Sequence, residues 1–215
     1  MSEQSDLRDG RRLRGQHTRA LILGRAVDIA SAEGLASVSL ARLGTELQLS
    51  KSGVSGHFTS REDLQLAVIG VAVQLYTDRI ATPASAEPEG LPQLWGLCDR
   101  WISFMQSGEL RGRSFFLTAL VEYDARPGVV RDELVRQRLR WEALFARFWS
   151  SAERLGHVRT GVDVQQLFFE VAALVAAATL EAQLRDDTSV FDRARAGATA
   201  RLTPLLSGDH SLVGR

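Results

Sequence analysis

Apolar residues recur at intervals of three and four along most of this 215-residue chain, which is the spacing of one face of an α-helix. In the segment from about residue 18 to 33, the residues that share such a face are Ile22, Ala26, Ile29 and Ala30. Strict alternation of apolar and polar residues, typical of a half-buried strand, nowhere runs for five residues between turn signals. The pattern therefore predicts an all-α fold.

Capping and turn residues divide this pattern into separate helices. Gly34 is suited to end the first helix, and Ser39 and Ser60 are suited to begin later ones. The predicted helices cover approximately residues 18–33, 40–47, 51–57, 60–80, 91–107, 113–125, 128–155, 163–185 and 189–206. Three of the five prolines lie in residues 82–92, and this cluster predicts a boundary between two parts of the chain.

Three short helices followed by a long one form a helix-turn-helix pattern over residues 18–80. In such modules the later short helix enters the major groove of DNA. Hydroxyl and basic side chains, together with the free N–H groups at helix starts, suit phosphate oxygens. Residues of these kinds cluster here as Ser39, Ser50, Lys51, Ser52, Ser55, His57, Thr59 and Arg61. The sequence thus predicts a DNA-binding surface.

Residues 1–16 are polar and rich in arginine, and we expect them to form a flexible basic arm. Arg11, Arg12 and Arg14 are candidates to enter the adjacent minor groove, as the arms of other helix-turn-helix proteins do. The alternative is a solvated tail that touches phosphates loosely.

Aromatic residues are concentrated in the second part of the chain, where thirteen of the fifteen lie after residue 90. Ligand pockets between helices are mostly apolar with a few polar groups, so these residues are candidates to line one. The candidates are Trp101, Phe104, Met105, Phe115, Phe116, Leu120, Tyr123, Trp141 and Phe145, with Arg100, Gln106, Glu122 and Tyr123 as polar anchors. Ordinary core packing is the alternative for each. An aromatic-rich pocket favours an apolar or aromatic effector over a sugar.

Composition and charge narrow the class of protein. Hydrophobic residues make up 45% and charged residues 24%, as in globular domains. The 26 basic and 26 acidic residues cancel, which excludes a uniformly basic nucleic-acid binder but not a local basic patch. The polar start lacks a signal-peptide core, and the longest apolar run, 171–180, is too short to cross a bilayer. We therefore expect a cytoplasmic protein.

Signatures of catalysis and of metal binding are absent from the sequence. The four histidines are isolated, and there is no His-x3-His, Cys-x2-Cys, nucleophile-elbow or P-loop spacing. The single cysteine, Cys98, excludes a disulfide framework and is either a packing residue or a redox sensor. We expect no enzyme activity, no metal and no cofactor.

Residues 18–69 resemble the N-terminal domain of the TetR family of transcriptional regulators. The string TRALILGRAVDIASAEG resembles the family's first helix, and LSKSGVSGHFTSREDL is the most specific part of the similarity. Residues 91–207 resemble the family's C-terminal region more loosely. The resemblance implies a homodimer formed by the helices at 163–185 and 189–206, a palindromic operator and a core that binds a small molecule.

The resemblance also assigns roles to single residues. It implies phosphate contacts for Ser39, His57 and Arg61, and it places Lys51 at the start of the recognition helix. Gln48 stands where the family has a turn glycine, and a left-handed conformation there costs about 1 kcal/mol or more.

The recognition helix itself departs from the family pattern. It carries Gly53, Ser55 and Gly56 where the family has larger side chains. Either the bare helix approaches the groove closely, or DNA shape and the arm supply the specificity.

These observations combine into one interpretation. A three-helix DNA-binding domain at 17–62 follows the arm at 1–16, and a long helix joins it to a helical ligand-binding and dimerisation domain at 63–207, with a tail at 208–215. We expect a repressor that a small apolar or aromatic effector releases from double-stranded operator DNA. The alternatives are an activator or corepressor-dependent regulator, and a helical ligand-binding or protein-interaction module without specific DNA binding.

Overall fold

The computed structural model of the protein describes residues 3–208 and 210–212, without the side chains of residues 3–12 and of Lys51. Within this part of the chain the secondary structure is helical, apart from one isolated antiparallel bridge between Val158 and Leu206. The α-helices are α1 (Glu3–Glu33), α2 (Leu40–Glu46), α3 (Lys51–Ser55), α4 (Arg61–Tyr76), α5 (Thr82–Ser85), α6 (Leu91–Ser107), α7 (Phe115–Tyr123), α8 (Val129–Arg154), α9 (Val164–Arg185) and α10 (Val190–Leu202). The predicted all-α class is confirmed.

The chain divides into two compact units. The first comprises Met1–Ala72 with Leu110–Glu133, so it holds α1 to α3, most of α4, and α7. Its core contains Ile22, Ala26 and Ile29 from the apolar face that the helical spacing predicts on α1, together with Leu43, Val54 and Leu64, all fully buried. The domain bounds expected from the sequence differ, because they include residues 110–133 in the ligand-binding and dimerisation domain at 63–207.

The second unit comprises Val73–Glu109 with Leu134–Arg215. It holds α5, α6, α9, α10 and most of α8, and its core is rich in large aromatic side chains. Those buried almost completely are Phe145, Trp149, Phe168 and Phe191. Asp99 and Arg195 join α6 to α10 through a 2.6 Å ion pair.

Helix α1 begins at Glu3 rather than near residue 18. The segment before residue 18 contains no proline, and its arginines, leucines and glutamines are good helix formers, so Gly10 and Gly15 alone do not end the helix. The residues predicted as a separate arm therefore continue α1 from Glu3 onward.

The proline cluster at 82–92 does not separate the two units, so that expectation is wrong. Pro83 and Pro92 lie in the first turns of α5 and α6, where the missing N–H has no intrahelical partner to lose. Residues on both sides of the cluster belong to the second unit. A proline that starts a helix and a proline in a linker look the same in a sequence.

Helix α9 is long and apolar enough to cross a membrane by length and composition, with a mean hydropathy of 1.6 over its most apolar window. About two fifths of that window, 39%, is buried within the protein. The central helix of a globular protein has the same properties, so this finding alone is weak evidence for a membrane.

Candidate functional site

The turn between α2 and α3 is a Schellman motif. The amide of Leu49 donates to the carbonyl of Gly44 at 2.9 Å, and the amide of Gln48 donates to that of Thr45 at 3.3 Å. This motif requires a left-handed residue after the helix, and Gln48 has φ 55°. Glutamine therefore stands at a position where glycine is favoured.

Helix α3 is held against α2 by close apolar packing, and the residues that follow α3 contact α1. A Cβ at Gly44 would stand 3.3 Å from the Leu49 carbonyl oxygen, so the glycine allows the close approach. Val54 is fully buried, and the buried Phe58 lies with its ring centre 5.2 Å from the Arg19 guanidinium. The recognition helix is thus fixed to its support by its apolar side.

The opposite side of the helix-turn-helix carries the predicted DNA-contacting residues. Among those with described side chains, Arg14, Ser39, Ser50, Ser52, Ser55, Gly56 and Arg61 are exposed, and Gly53 and His57 are half-buried. The side chains of Arg11, Arg12 and Lys51 lie outside the described part. A Cβ at Gly15 would stand 4.0 Å from Cε1 of His57, so the N-terminal part of α1 runs beside the end of α3.

Serine hydroxyls begin the two helices of this motif. Ser39 Oγ accepts from the amide of Arg42 at 3.2 Å, and Ser50 Oγ accepts from the amide of Gly53 at 3.1 Å. A serine that caps a helix in this way still has its own hydroxyl hydrogen to donate. Both serines are exposed, and the Ser50 hydroxyl also lies 3.2 Å from the Ser52 hydroxyl. The Ser39 hydrogen is therefore available to an acceptor in solution.

Helix α4 starts with a similar capping arrangement. Asp63 donates its amide to Ser60 Oγ at 3.0 Å, and its carboxylate accepts from the Thr59 amide at 2.8 Å. These bonds to Thr59 lower the pKa of Asp63. The adjacent Arg61 donates to the carbonyl of Ala36.

Other arginines of the helix-turn-helix are already paired. Arg42 donates to both oxygens of Glu33, at 2.7 and 2.8 Å, and to Glu46 at 2.8 Å. Arg25 bonds to Glu46 at 2.5 Å and to Asp28 at 2.7 Å. The hydrogen bond from Arg42 lowers the pKa of Glu33 and of Glu46. This ion-pair network stabilises the contact of α1 with α2.

The second unit contains a connected aromatic cluster made of Tyr76, Trp101, Phe104, Trp141, Phe145 and Phe168. Trp101 contacts Trp141 edge to face at a ring separation of 5.6 Å and stacks on Phe168 at 6.3 Å. Tyr76 contacts Phe104 at 5.1 Å, and Phe145 contacts Phe168 at 5.4 Å. Four of the predicted ligand-lining residues are therefore brought together, and Met105 of α6 is fully buried.

One donor in this cluster and one beside it lack hydrogen-bond acceptors. Trp141 Nε1 and Arg138 Nη1 are buried and unbonded, although a Glu142 oxygen stands 3.9 Å from Arg138 Nη1. The Arg138 guanidinium lies 4.2 Å from the centre of the Phe168 ring, and burial lowers the pKa of Arg138. Sequence reasoning missed Arg138, Tyr76 and Phe168. The three-residue spacing of 138 and 141 on one helix was the available signal.

The other predicted ligand-lining residues lie on α7 in the first unit. Phe115 is fully buried and contacts Phe116 at 5.2 Å. Tyr123 accepts a 2.9 Å hydrogen bond from Gln65, and Leu120 is half-buried. The nine candidates are thus divided between the two units. Of the expected anchors, Arg100 pairs with Glu87 and Glu122 with Arg126.

Cys98 is not placed to act as a redox sensor. It is buried, and burial raises the pKa of its thiol to about 12, so the reactive thiolate is not populated at neutral pH. The described residues contain no group of three metal-ligating side chains.

The C-terminal part of the chain matches a known family. Residues 90–198, which are 109 of the 215, match the family described as the tetracyclin repressor-like C-terminal domain. The chain belongs to the TetR family of transcriptional regulators. It is accordingly a DNA-binding transcriptional regulator and not an enzyme.

Solved structures of TetR regulators share this fold over most of the chain. One from Chloroflexus aurantiacus aligns with a TM-score of 0.82 and 20% identity, over 90% of this chain and 98% of that one. A regulator from Saccharomonospora viridis in complex with choline gives 0.73 and 20%, over 90% and 99%. AibR, in complex with isovaleryl coenzyme A and operator DNA, gives 0.69 and 17%, over 88% and 99%. No curated protein matches the sequence.

Proposed function

We propose that this TetR regulator is a cytoplasmic homodimeric repressor. It binds a palindromic operator through α2 and α3, and it leaves the DNA when a small effector binds the aromatic cluster of the second unit. The observation that carries the DNA-binding part is the exposed row of hydroxyl and basic groups on a helix-turn-helix whose apolar side is fully packed.

The chemistry of α3 favours reading of phosphates and shape over reading of bases. Ser52, Ser55 and Gly56 are exposed, and none of them is a bidentate base reader. Short side chains let the backbone approach DNA closely, and hydroxyl groups donate to phosphate oxygens. Affinity should therefore fall steeply with salt, while discrimination between sequences depends on the deformability of the operator.

The aromatic cluster supports a flat or apolar effector that carries a hydrogen-bond acceptor. Ring faces supply apolar contact, and the unbonded Trp141 and Arg138 donors would each gain a partner. The positive charge of Arg138 disfavours a cation such as the choline bound by the Saccharomonospora viridis regulator. A neutral or anionic effector fits this site better.

The outer face of α9 supports dimerisation. Phe169, Leu180 and Leu184 are 62%, 54% and 73% exposed and share one face with Ala173 and Ala177. Five apolar residues at spacings of three and four make a continuous stripe that a second subunit would cover. In α10 the apolar side faces inward, since Phe191, Ala194 and Ala198 are buried. Two recognition helices spaced by a dimer would reach half-sites about 34–36 Å apart.

Fluorescence anisotropy with DNA from upstream of the protein's own gene tests the proposal. We expect saturable binding that resists random competitor DNA and weakens with salt. Ser55→Glu, which places a negative charge on α3, should abolish binding, and Ala86→Glu, which adds the same charge in the second unit, should not. Equal DNA binding by both variants would show that α3 is not part of the DNA interface. The absence of binding to any DNA at low salt would favour a ligand-binding or interaction module.

A further inference from the structure

The first unit contains a cavity of about 230 Å³ that is separate from the aromatic cluster. It lies between Ala36, the first turn of α4 and the segment from Tyr123 to Arg131. Three arginines line it, namely Arg61, Arg126 and Arg131, and Glu62 is the one carboxylate among the lining residues. The cavity wall therefore carries an excess of positive charge.

Two of these arginines are held by neutral groups. Arg61 donates to the carbonyl of Ala36, and Arg131 Nε donates to the carbonyl of Asp124 at 3.1 Å. Within the described part of the chain neither guanidinium has a carboxylate at ion-pair distance. Each guanidinium carries five N–H donors, so most donors of both residues remain available for a ligand.

Among the remaining polar groups of the cavity, Tyr123 and Arg126 suit an anionic ligand, whereas Glu62 opposes one. Tyr123 accepts from Gln65 and has its own hydroxyl hydrogen left to donate, and burial raises the pKa of Tyr123, so it stays protonated. Arg126 is the arginine with an acidic partner, at 3.3 Å from Glu122 Oε1. The second oxygen of Glu122 faces Gly34, where an added Cβ would stand 2.6 Å away.

We propose that this cavity binds a small oxyanion, a carboxylate or a phosphate, through Arg61, Arg131 and Tyr123. The volume lies below the range of about 300–1,000 Å³ that is typical of drug-sized ligands, which favours a small metabolite. The side chains of Val129 and Val130 give one wall an apolar character, so a short aliphatic carboxylate fits as well as phosphate does.

Occupation of this site bears on DNA binding. Arg61 is one of the residues for which the resemblance to the TetR family implies a contact with a DNA phosphate, and this consequence rests on the proposed function. An oxyanion that engages the Arg61 guanidinium competes for the same donors. The anion therefore weakens DNA binding from inside the first unit, independently of an effector in the aromatic cluster.

Titration calorimetry of the full-length protein with phosphate and with succinate, at ionic strength held constant by sodium chloride, tests the site. We expect one site per chain for at least one of the two anions. Arg131→Gln and Tyr123→Phe should each weaken its binding, the former about ten- to hundredfold, since a charge-assisted hydrogen bond contributes about 1.5–3 kcal/mol. Arg140→Gln, an exposed arginine on the same helix, is the matched control and should bind as the wild type does.

Either of two results would contradict the proposed site. One is that neither phosphate nor succinate gives a heat of binding, and the other is that Arg131→Gln and Arg140→Gln bind the anion with equal affinity. DNA binding is measured separately, in chloride alone. If DNA does not bind but the anion does, the proposed function fails and the anion site stands. If Arg131→Gln instead weakens DNA binding and no anion binds, the arginine belongs to the DNA interface.

Discussion

Gly112 lies so close to the main chain of α1 that an added Cβ would stand 1.7 Å from the carbonyl oxygen of Ser31. The Gly112 amide donates to the Ser31 hydroxyl at 3.1 Å, and Thr118 donates to the Ser31 carbonyl at 3.0 Å. These contacts fix the loop before α7 to the first helix, so α7 belongs to the same compact unit as the helix-turn-helix.

Gly112→Ala should therefore destabilise the protein. The methyl group meets main-chain atoms that cannot rotate away, and such overpacking costs about 3 kcal/mol. Gly24→Ala on the exposed side of α1 is the matched control, because nothing lies within 4 Å of its added Cβ. The control should stabilise by up to about 1 kcal/mol through helix propensity. Urea unfolding measures the free energy of unfolding of both variants. Equal values would show that the main chain around Ser31 moves to accommodate the added methyl group without loss of stability.

Gln48→Gly should stabilise the protein by about 1 kcal/mol. The residue has φ 55°, which an L side chain adopts only with strain, whereas glycine adopts it freely. Gln48→Ala retains the Cβ and should leave the free energy of unfolding nearly unchanged. Thermal and urea unfolding check the prediction. A loss of stability in Gln48→Gly would mean that the glutamine side chain makes a contact that stabilises the protein more than the removal of backbone strain does.

Gln48 is an example of a local feature that could be predicted from the sequence. Because the family has glycine at this turn, the strain could be expected from the sequence, and the backbone conformation bears it out. Helical spacing likewise placed α2, α6, α8 and α9 within a few residues of their observed bounds, since a buried apolar face leaves a clear periodicity.

The grouping of α7 could not be predicted in the same way. Its attachment to α1 depends on the Gly112–Ser31 approach, which joins residues 81 apart in sequence. The small cavity by Arg61 and Arg131 was missed for the same reason, because its walls come from three distant segments. Helical spacing can be recognised within a short stretch of sequence, whereas a contact between distant residues leaves no such local pattern.

Lys51→Ala should weaken the binding of operator and random DNA alike. Lys51 begins α3 and is the single lysine of the chain, and a phosphate contact carries no sequence information. The slope of log K against log salt should become shallower by about 0.9, the value of one lost phosphate contact. Anisotropy titrations at several salt concentrations measure it. An unchanged slope would place Lys51 away from the phosphates.

Acidification should destabilise the second unit through His157. Its Nδ1 accepts from the Leu91 amide at 3.2 Å, and the His210 ring lies 4.6 Å away. Burial, with a smaller effect of His210, lowers the pKa of His157 below 6.5. The unfolded state therefore binds the proton more tightly, and stability present above about pH 6.5 is lost as the pH falls through the lowered value.

Melting temperatures between about pH 7.5 and 5.5 test this expectation. His157→Asn removes the titration and should flatten the pH dependence, while His17→Asn, at an exposed position on α1, should not. Parallel pH profiles for the wild type and His157→Asn would contradict the prediction.

Leu180→Arg combined with Leu184→Arg should convert the protein to a monomer. Both side chains lie in the exposed apolar stripe of α9, and an unpaired charge buried between subunits is costly. Leu139→Arg, at an exposed leucine on α8, is the matched control and should keep the wild-type state. Sedimentation at micromolar concentration distinguishes these states.

The same variants separate assembly from DNA contact. Since a palindromic operator needs two recognition helices, the double variant should also lose operator affinity while its circular dichroism stays helical. A dimer that persists in the double variant would move the interface away from the α9 stripe. A monomer that binds the operator as tightly as the wild type does would refute the need for two subunits.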